Sequence, residues 1–287
     1  MKIRFLKQMD LDNIYHTFIE AFSDYAVSIQ MEKEKLFRMM KRRGAVLDYS
    51  VGVFEKSKMV AVMITAIDEF RGKRSAYDVF TGVIPSHRGQ KLAGTMFELV
   101  QPKLIKNGIK QFVLEVLQEN EPAIKVYSKT GFEINRSFEC YEVEKLPEKI
   151  NENCYLTVET EFKPAEVGSF RDWVPSWQNS DASMLRTEEE LRYLKAYENN
   201  KLVGYAVVIP SSGDLPQIAV SPESRQRRIG SRLLFEAGSI LSGGKNLRVI
   251  NIDSNSESDL NFFKRIEAKK ITSQYEMILN LDKDITH

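Results

Sequence analysis

The sequence predicts an α/β (α+β) chain of two tandem units, each a mixed central sheet flanked by helices. Three observations carry this expectation. The 287 residues are 43% hydrophobic and 28% charged, ordinary for soluble globular chains, and at roughly 150 residues per domain they suffice for two. Strand-like runs alternate with runs whose apolar residues recur every three to four positions. One strand–turn–helix pattern also occurs twice: Val83, Pro85, Arg88, Leu92 and Ala93 return as Val220, Pro222, Arg225, Ile229 and Gly230, each 137 residues later. Similar positions in register point to duplication rather than to a solenoid of short repeats.

Taken in order, Lys2–Leu6 reads as a short strand. Asp10 then caps a helix carrying Leu11, Ile14, Phe18 and Phe22 on one face. The loop FSDYAVSIQ leads to a second helix, from about Met31, that stops at Gly44, the residue best suited to a left-handed C-cap. Tyr49–Phe54 and Met59–Ile67 are strands joined by the polar turn EKSK, and Ala76–Ile84 is another. A helix begins near Gly89 with Leu92, Met96, Leu99 and Val100 on one face. Gln111–Leu117 (strand), Glu121–Thr130 (helix) and Ser137–Val143 (strand) complete a βααβββαβαβ order. The polar run Leu146–Cys154 reads as a linker, which places domains at 1–146 and 154–287. The second domain repeats a shorter pattern. Strands Leu194–Glu198 and Leu202–Ile209 flank the turn NNK, and the strand Gln217–Val220 follows. A helix then carries Ile229, Leu233, Ala237 and Leu241. Strand Leu247–Ile252, helix Asp259–Ile266 and strand Tyr275–Leu279 close the domain.

Composition narrows the function. Lys and Arg number 41 against 40 Asp and Glu, so no global basic field points to nucleic acid or an anionic membrane. Cys140 and Cys154 cannot build a disulfide framework and lack metal-ligand spacing, and the three histidines (His16, His87, His287) lie far apart. A metal site is therefore not expected. Charges break the N-terminal run MKIRFLKQMDLDNIY, and no run reaches the ~18–20 apolar residues of a membrane span, so a cytoplasmic protein is expected.

The segment Val83–Gly94 (VIPSHRGQKLAG) joins a strand end to a helix start. Such a turn leaves backbone N–H groups unpaired at the positive end of a helix dipole, which suits an anion and above all a pyrophosphate. Gly89 allows close backbone approach, and Arg88 and Lys91 add charge. By itself the segment reads equally as a tight turn with surface charges. The segment Leu114–Phe132 (LEVLQENEPAIKVYSKTGF) decides between the two. Its Asn120, Ala123, Tyr127, Gly131 and Phe132 stand at Asn-x-x-Ala-x-x-x-Tyr-x-x-x-Gly-Phe spacing. Together the two segments resemble the GNAT superfamily of acyl-CoA-dependent N-acetyltransferases, over most of residues 1–145.

The resemblance implies acetyl-CoA as cosubstrate and direct attack on it by a primary amine, on a small molecule or a peptide. Val83 and Ile84 would then offer backbone groups to the pantetheine arm. Arg88, Gly89, Gln90, Lys91, Leu92 and Ala93 would hold the pyrophosphate, with Lys91 standing where the family usually has a second glycine. Tyr127 would protonate the leaving thiolate. Asn120 reads as a pantetheine contact or as an N-cap. Glu115 reads as the base that takes the amine proton or as an outward strand carboxylate. Phe22, Asp24 and Tyr25 read as acceptor recognition, a carboxylate beside aromatics suiting a cationic amine, or as an aromatic loop packed on the core.

In the second half Arg225 matches the turn, but Gln226 and Arg228 replace both glycines and Phe263 stands where Tyr is expected. A phenylalanine cannot donate a proton. The second domain is therefore expected to be GNAT-like with degenerate motifs and no transfer activity. A non-catalytic acyl-CoA-binding or assembly role is the alternative for the chain. Oligomeric state, a homodimer included, is left open by the sequence.

Overall fold

The computed structural model describes residues 1–24, 31–148 and 150–282. The elements of the first half are β1 (Lys2–Phe5), α1 (Leu11–Ala21), α2 (Lys33–Arg43), β2 (Val51–Glu55), β3 (Lys58–Phe70), β4 (Lys73–Val83), α3 (Leu92–Lys106), β5 (Gln111–Leu117) and α4 (Glu121–Lys129). There follow β6 (Glu133–Val143), β7 (Tyr155–Glu159), α5 (Asp181–Leu185), β8 (Arg192–Glu198), β9 (Lys201–Ile209) and β10 (Asp214–Val220). The chain goes on through α6 (Ile229–Ser239), β11 (Leu247–Asp253), α7 (Glu257–Arg265) and β12 (Lys269–Asn280).

Two compact units result, and neither is continuous in sequence. One holds Met1–Val116, Asn120–Asn135 and Glu276–His287; the other holds Leu117–Glu119 and Arg136–Tyr275. The first sheet runs β1-β2-β3-β4-β5 and then the end of β12; the second runs β7-β8-β9-β10-β11 and then β6. The sixth strand of each sheet thus comes from the other half of the sequence. Within each unit the early strands pair antiparallel, while β4–β5 and β10–β11 pair parallel across the crossover helices α3 and α6.

In the first unit β3 is buried without a break from Met59 to Ala66. A strand reads as a continuous apolar run, MVAVMITA, when both faces are covered. One face of the sheet takes α1, through Ile14, Phe18 and Ala21. The other takes α3, through Leu92, Met96, Phe97, Val100 and Leu104. Each fully buried side chain of this size contributes about 1.5–3 kcal/mol. Leu99, expected on the inner face of α3, is 37% exposed; the buried row runs at four-residue steps through 92, 96, 100 and 104 and leaves it outside. Gly44 closes α2 at φ 81° as its position predicts. The second unit repeats the plan, with Ile229, Leu233, Leu234 and Ala237 of α6 packed into a core that includes Leu194, Ala206, Val249 and Phe263.

Asp10 stands before α1, as expected, but its side chain does not cap the helix. Its carboxylate accepts both arms of the Arg4 guanidinium at 2.7 Å and the Lys7 N–H at 2.8 Å, tying β1 to the start of the helix. The hydrogen bonds from Arg4, ahead of the opposing effect of burial, hold the Asp10 carboxyl below the ordinary aspartate value. A depressed folded-state pKa stabilises the protein above the unfolded value and loses that contribution as pH falls through the folded one. Asp10→Asn is therefore expected to cost about 1–3 kcal/mol at pH 7. Denaturant unfolding of both proteins below about pH 4 checks this, since the gap between them should close there.

Candidate active site

The end of β4 and the start of α3 frame an open turn. Pro85–His87 forms one 3-10 turn, in which the His87 N–H donates to Ile84 O at 2.9 Å. Gly89 and Lys91 then take left-handed conformations, at φ 79° and 59°, and Lys91 is the N-cap of α3. Among the described residues the six consecutive N–H groups from Gly89 to Gly94 donate no hydrogen bond to protein; the first bond of the new helix runs from Thr95 N–H to Lys91 O. Lysine in place of the second glycine keeps the turn open, at the roughly 1–2 kcal/mol that a left-handed residue with a side chain costs. Six open donors at the positive end of a four-turn helix fit an anion with several oxygens, as a pyrophosphate has.

Beside the turn the two central strands part. β4 and β5 pair only over Ser75–Tyr77 and Gln111–Val113, although the strands have 11 and 7 residues. Just past the last pair, β4 carries one extra residue against β3: Phe80 lies opposite Ile64 and Asp78 opposite Thr65, which leaves Val79 between. Such a bulge reverses the alternation of side chains beyond it. Arg43, at the end of α2, donates to the Val79 carbonyl at 3.0 Å. The bulge puts Asp78 on the same face as Thr81, toward α3 and α4; Gly82, one residue on from Thr81, faces α1 instead.

There Asp78 Oδ2 accepts the Thr81 hydroxyl at 2.8 Å and the Tyr127 hydroxyl at 3.2 Å. Asp78 Oδ1 is buried and has no hydrogen-bond partner among the described residues. Burial is the main cause that pushes this carboxyl up to about 6; the two hydroxyl bonds and, last, the charge of Arg43 act against it. Asp78 and Tyr127 line a cleft of about 20 Å³ with Ala93, Gly94, Phe97 and Leu114. Asp78 is not among the residues expected from the sequence; its signal there is the one charged residue of the strand run AYDVFTGV.

The other expected residues fall as follows. Val83 and Ile84 end β4 at the turn, and Leu92 and Ala93 open α3 beside it. Asn120 is the N-cap of α4, its Oδ1 accepting the Ala123 N–H at 3.2 Å. Glu115 follows Leu114 on β5 and so points to the face away from the cleft. It lies against the buried Tyr77, whose hydroxyl is raised well above its ordinary value by burial and then by the Glu115 charge. Phe22 packs on Phe18 (4.9 Å between ring centroids) and over Gly82, where a Cβ would meet the ring at 3.2 Å. Asp24 pairs with Arg88, which holds its carboxyl below the ordinary value. Tyr25 lies outside the described residues.

The second unit keeps the shape of the turn and changes its chemistry. Gln226 and Arg228 are left-handed at φ 61° and 60°, and Arg228 is the N-cap of α6. β10 and β11 pair only at Asp214 and Arg248, and a cleft of about 1190 Å³ lies beside the turn. Phe263, in the place of Tyr127, is buried and stacked on Tyr141 at 5.6 Å. Among the described residues no three His, Cys, Asp or Glu side chains cluster as metal ligands, and no helix is long and apolar enough to cross a membrane.

A mixed sheet that parts at its centre, an open turn before a helix and a tyrosine on the next helix frame a site that fits an anionic ligand beside a hydrogen-bonded carboxylate and phenol. Residues 11–132 match the acetyltransferase (GNAT) family model, and residues 189–266 match a second acetyltransferase (GNAT) domain model. The chain belongs to the GNAT acetyltransferase family and carries two of its domains in tandem. Among solved structures it is similar to a putative acetyltransferase from Pyrococcus horikoshii, with 17% identity and a TM-score of 0.72 over 97% of this chain and 89% of that one. A GCN5-related N-acetyltransferase from Sphaerobacter thermophilus is alike at 16% identity and a TM-score of 0.72, over 98% and 95% of the two chains. A tandem GNAT protein of the clavulanic acid biosynthesis pathway reaches a TM-score of 0.74 at 12% identity, over 99% of this chain and all 100% of the other. Identities this low speak for the fold alone. No curated protein matches the sequence.

Gly89→Glu brings a side chain and a negative charge to the open N–H groups, at a φ that already disfavours any side chain. If the turn holds an anionic cosubstrate, saturating acetyl-CoA, at about 100 times Kd, should stabilise the parent by about 2.7 kcal/mol. The variant should show no thermal shift. Differential scanning fluorimetry reads both.

Proposed function

We propose that the first unit transfers an acetyl group from acetyl-CoA to a primary amine by direct attack. The observation that carries this reading is the buried, unpartnered Oδ1 of Asp78, whose other oxygen accepts the Tyr127 hydroxyl. When bound, acetyl-CoA supplies the activated thioester carbonyl, and the open turn from Gly89 to Gly94 holds its pyrophosphate. Asp78, with a pKa of about 6, is mostly ionised at neutral pH and takes the proton of the attacking amine at Oδ1. Tyr127 gives its proton to the departing thiolate. The 3.2 Å hydrogen bond between the two groups then lets Asp78 return a proton to the phenolate, so that one proton leaves the amine and one reaches sulfur. In this assignment Asp78 takes the role the sequence offers to Glu115, because it shares the cleft with Tyr127. The acceptor is a small-molecule or peptide amine. The second unit, with Phe263 in place of the acid, retains the fold without the transfer reaction.

Tyr127→Phe keeps the ring against Phe132 and removes only the donor, so turnover is expected to fall roughly 10²–10⁴-fold with acetyl-CoA affinity little changed. The parent kcat/KM should rise with pH through an apparent pKa near 6 and then level off, because only ionised Asp78 accepts a proton. Asp78→Asn should remove that limb along with most of the activity. A thiol-release assay across pH 5–8 with a panel of amines tests all three; activity of Tyr127→Phe within about threefold of the parent would falsify the acid assignment.

A further inference from the structure

We infer that Asp24 is a positioning residue that fixes the shape of the phosphate-binding turn through Arg88, and that Asp172 does the same through Arg225 in the second unit. The inference rests on the acyl-CoA reading of the turn in the first unit. All three nitrogens of the Arg88 guanidinium donate to protein. Its Nε donates to Val83 O at 3.3 Å, its Nη2 to Ala21 O at 2.8 Å and to Asp24 Oδ1 at 2.8 Å, and its Nη1 to Asp24 Oδ2. One side chain so fastens the last residue of α1 and the loop after it to the strand end from which the turn departs.

The second unit repeats this pattern of donors and acceptors, with the loop carbonyl supplied two residues before the aspartate instead of three. Arg225 Nε donates to Val220 O at 3.1 Å and Nη2 to Phe170 O at 3.1 Å; Nη2 and Nη1 meet Asp172 Oδ1 and Oδ2 at 3.0 and 2.8 Å. The arginine and aspartate are 64 residues apart in one unit and 53 in the other, yet all four contacts are kept. What the turns themselves keep is the backbone: Gly89 and Lys91 are left-handed in one, Gln226 and Arg228 in the other. Glycine cannot account for a shape found without it, whereas the arginine–aspartate clamp is present in both. The clamp also has a sequence trace, since Phe22-Ser23-Asp24-Tyr25 returns as Phe170-Arg171-Asp172-Trp173.

The clamp is a two-toothed arginine–carboxylate pair, the geometry that fixes orientation best. Arg88 and Asp24 are 42% and 51% exposed, and ion pairs so exposed add little to global stability. Its effect is therefore sought in the turn and not in the melting temperature. Two roles for Arg88 make opposite forecasts. If Arg88 were itself a phosphate ligand, releasing it from Asp24 would leave a freer cation and tighter acetyl-CoA binding, and lysine would substitute well. If Arg88 holds the turn, both changes weaken binding, because lysine cannot form the fork.

The experiment is titration calorimetry of the full chain with acetyl-CoA for the parent, Asp24→Asn and Arg88→Lys. Melting temperature and amide hydrogen exchange over residues 85–94 are followed in the same proteins. The expected result is a loss of affinity of about tenfold or more in both variants and faster exchange across the turn. Melting temperatures should stay within about 2 °C, because ion pairs so exposed add little to global stability. Unchanged or tighter binding by Asp24→Asn, in a parent that binds acetyl-CoA, overturns the positioning role and leaves the acyl-CoA reading intact. A parent that does not bind acetyl-CoA overturns that reading, and the exchange rates alone then decide whether Asp24 fixes the turn: unchanged exchange refutes it.

Discussion

The first unit is organised around the parting of two parallel strands after three residue pairs. Parallel neighbours ordinarily continue to zip, since each further pair satisfies backbone groups that are otherwise left bare. Here β4 and β5 stop at Tyr77 and Val113, and the bulge at Val79 begins on the next residues of β4. The Val79 carbonyl at the bulge accepts a hydrogen bond from Arg43. With that group satisfied, β4 can present Asp78 toward α4 instead of α1. The hydrogen-bonded Asp78–Tyr127 pair, the cleft and the approach to the open turn all follow from this one interruption of the ladder.

Much of the fold was legible because it is written in periodicity. The βααβββαβαβ order, the stop at Gly44, the helix after the Val83–Gly94 turn and the duplicated segment all have local causes, and each stands where its pattern placed it. What could not be read is tertiary in origin. A bulge adds one residue to a strand without altering its composition, so the residues around Asp78 look the same with or without it. Asp10 has the right position for a cap, yet the Arg4 guanidinium, six residues back on β1, and the Lys7 N–H engage its carboxylate instead of the N–H groups of the helix. Asn120, by contrast, makes the cap its sequence position offers. Phe22 and Asp24 are neighbours with unlike fates, one packed on Gly82 and the other engaged by Arg88, because successive loop residues face different surroundings.

The two units also separate shape from chemistry. Gln226 and Arg228 hold left-handed backbone that glycine would adopt without strain, so the second turn is maintained against its own side chains. At the place of Tyr127 the second unit has Phe263, buried and stacked, so the ring survives there as packing. Counting motif glycines underrates the turn, whose backbone shape is kept without them.

The interchange of sixth strands has a consequence for how the chain is made. β5 borders a strand that lies at residues 269–280, more than 150 positions further on, so the sheet holding the candidate active site is short of one strand throughout most of synthesis. Until Glu276 and its successors emerge, β5 presents a bare row of N–H and C=O groups, the kind of edge that recruits stray strands. β6 emerges early and must wait in turn for β11. Folding of either sheet is therefore late and long-range, the slow regime for β pairing. A chain cut after the first 146 residues would display an unfilled edge in the sheet that carries Asp78, and the tandem arrangement makes each half a condition for completing the other.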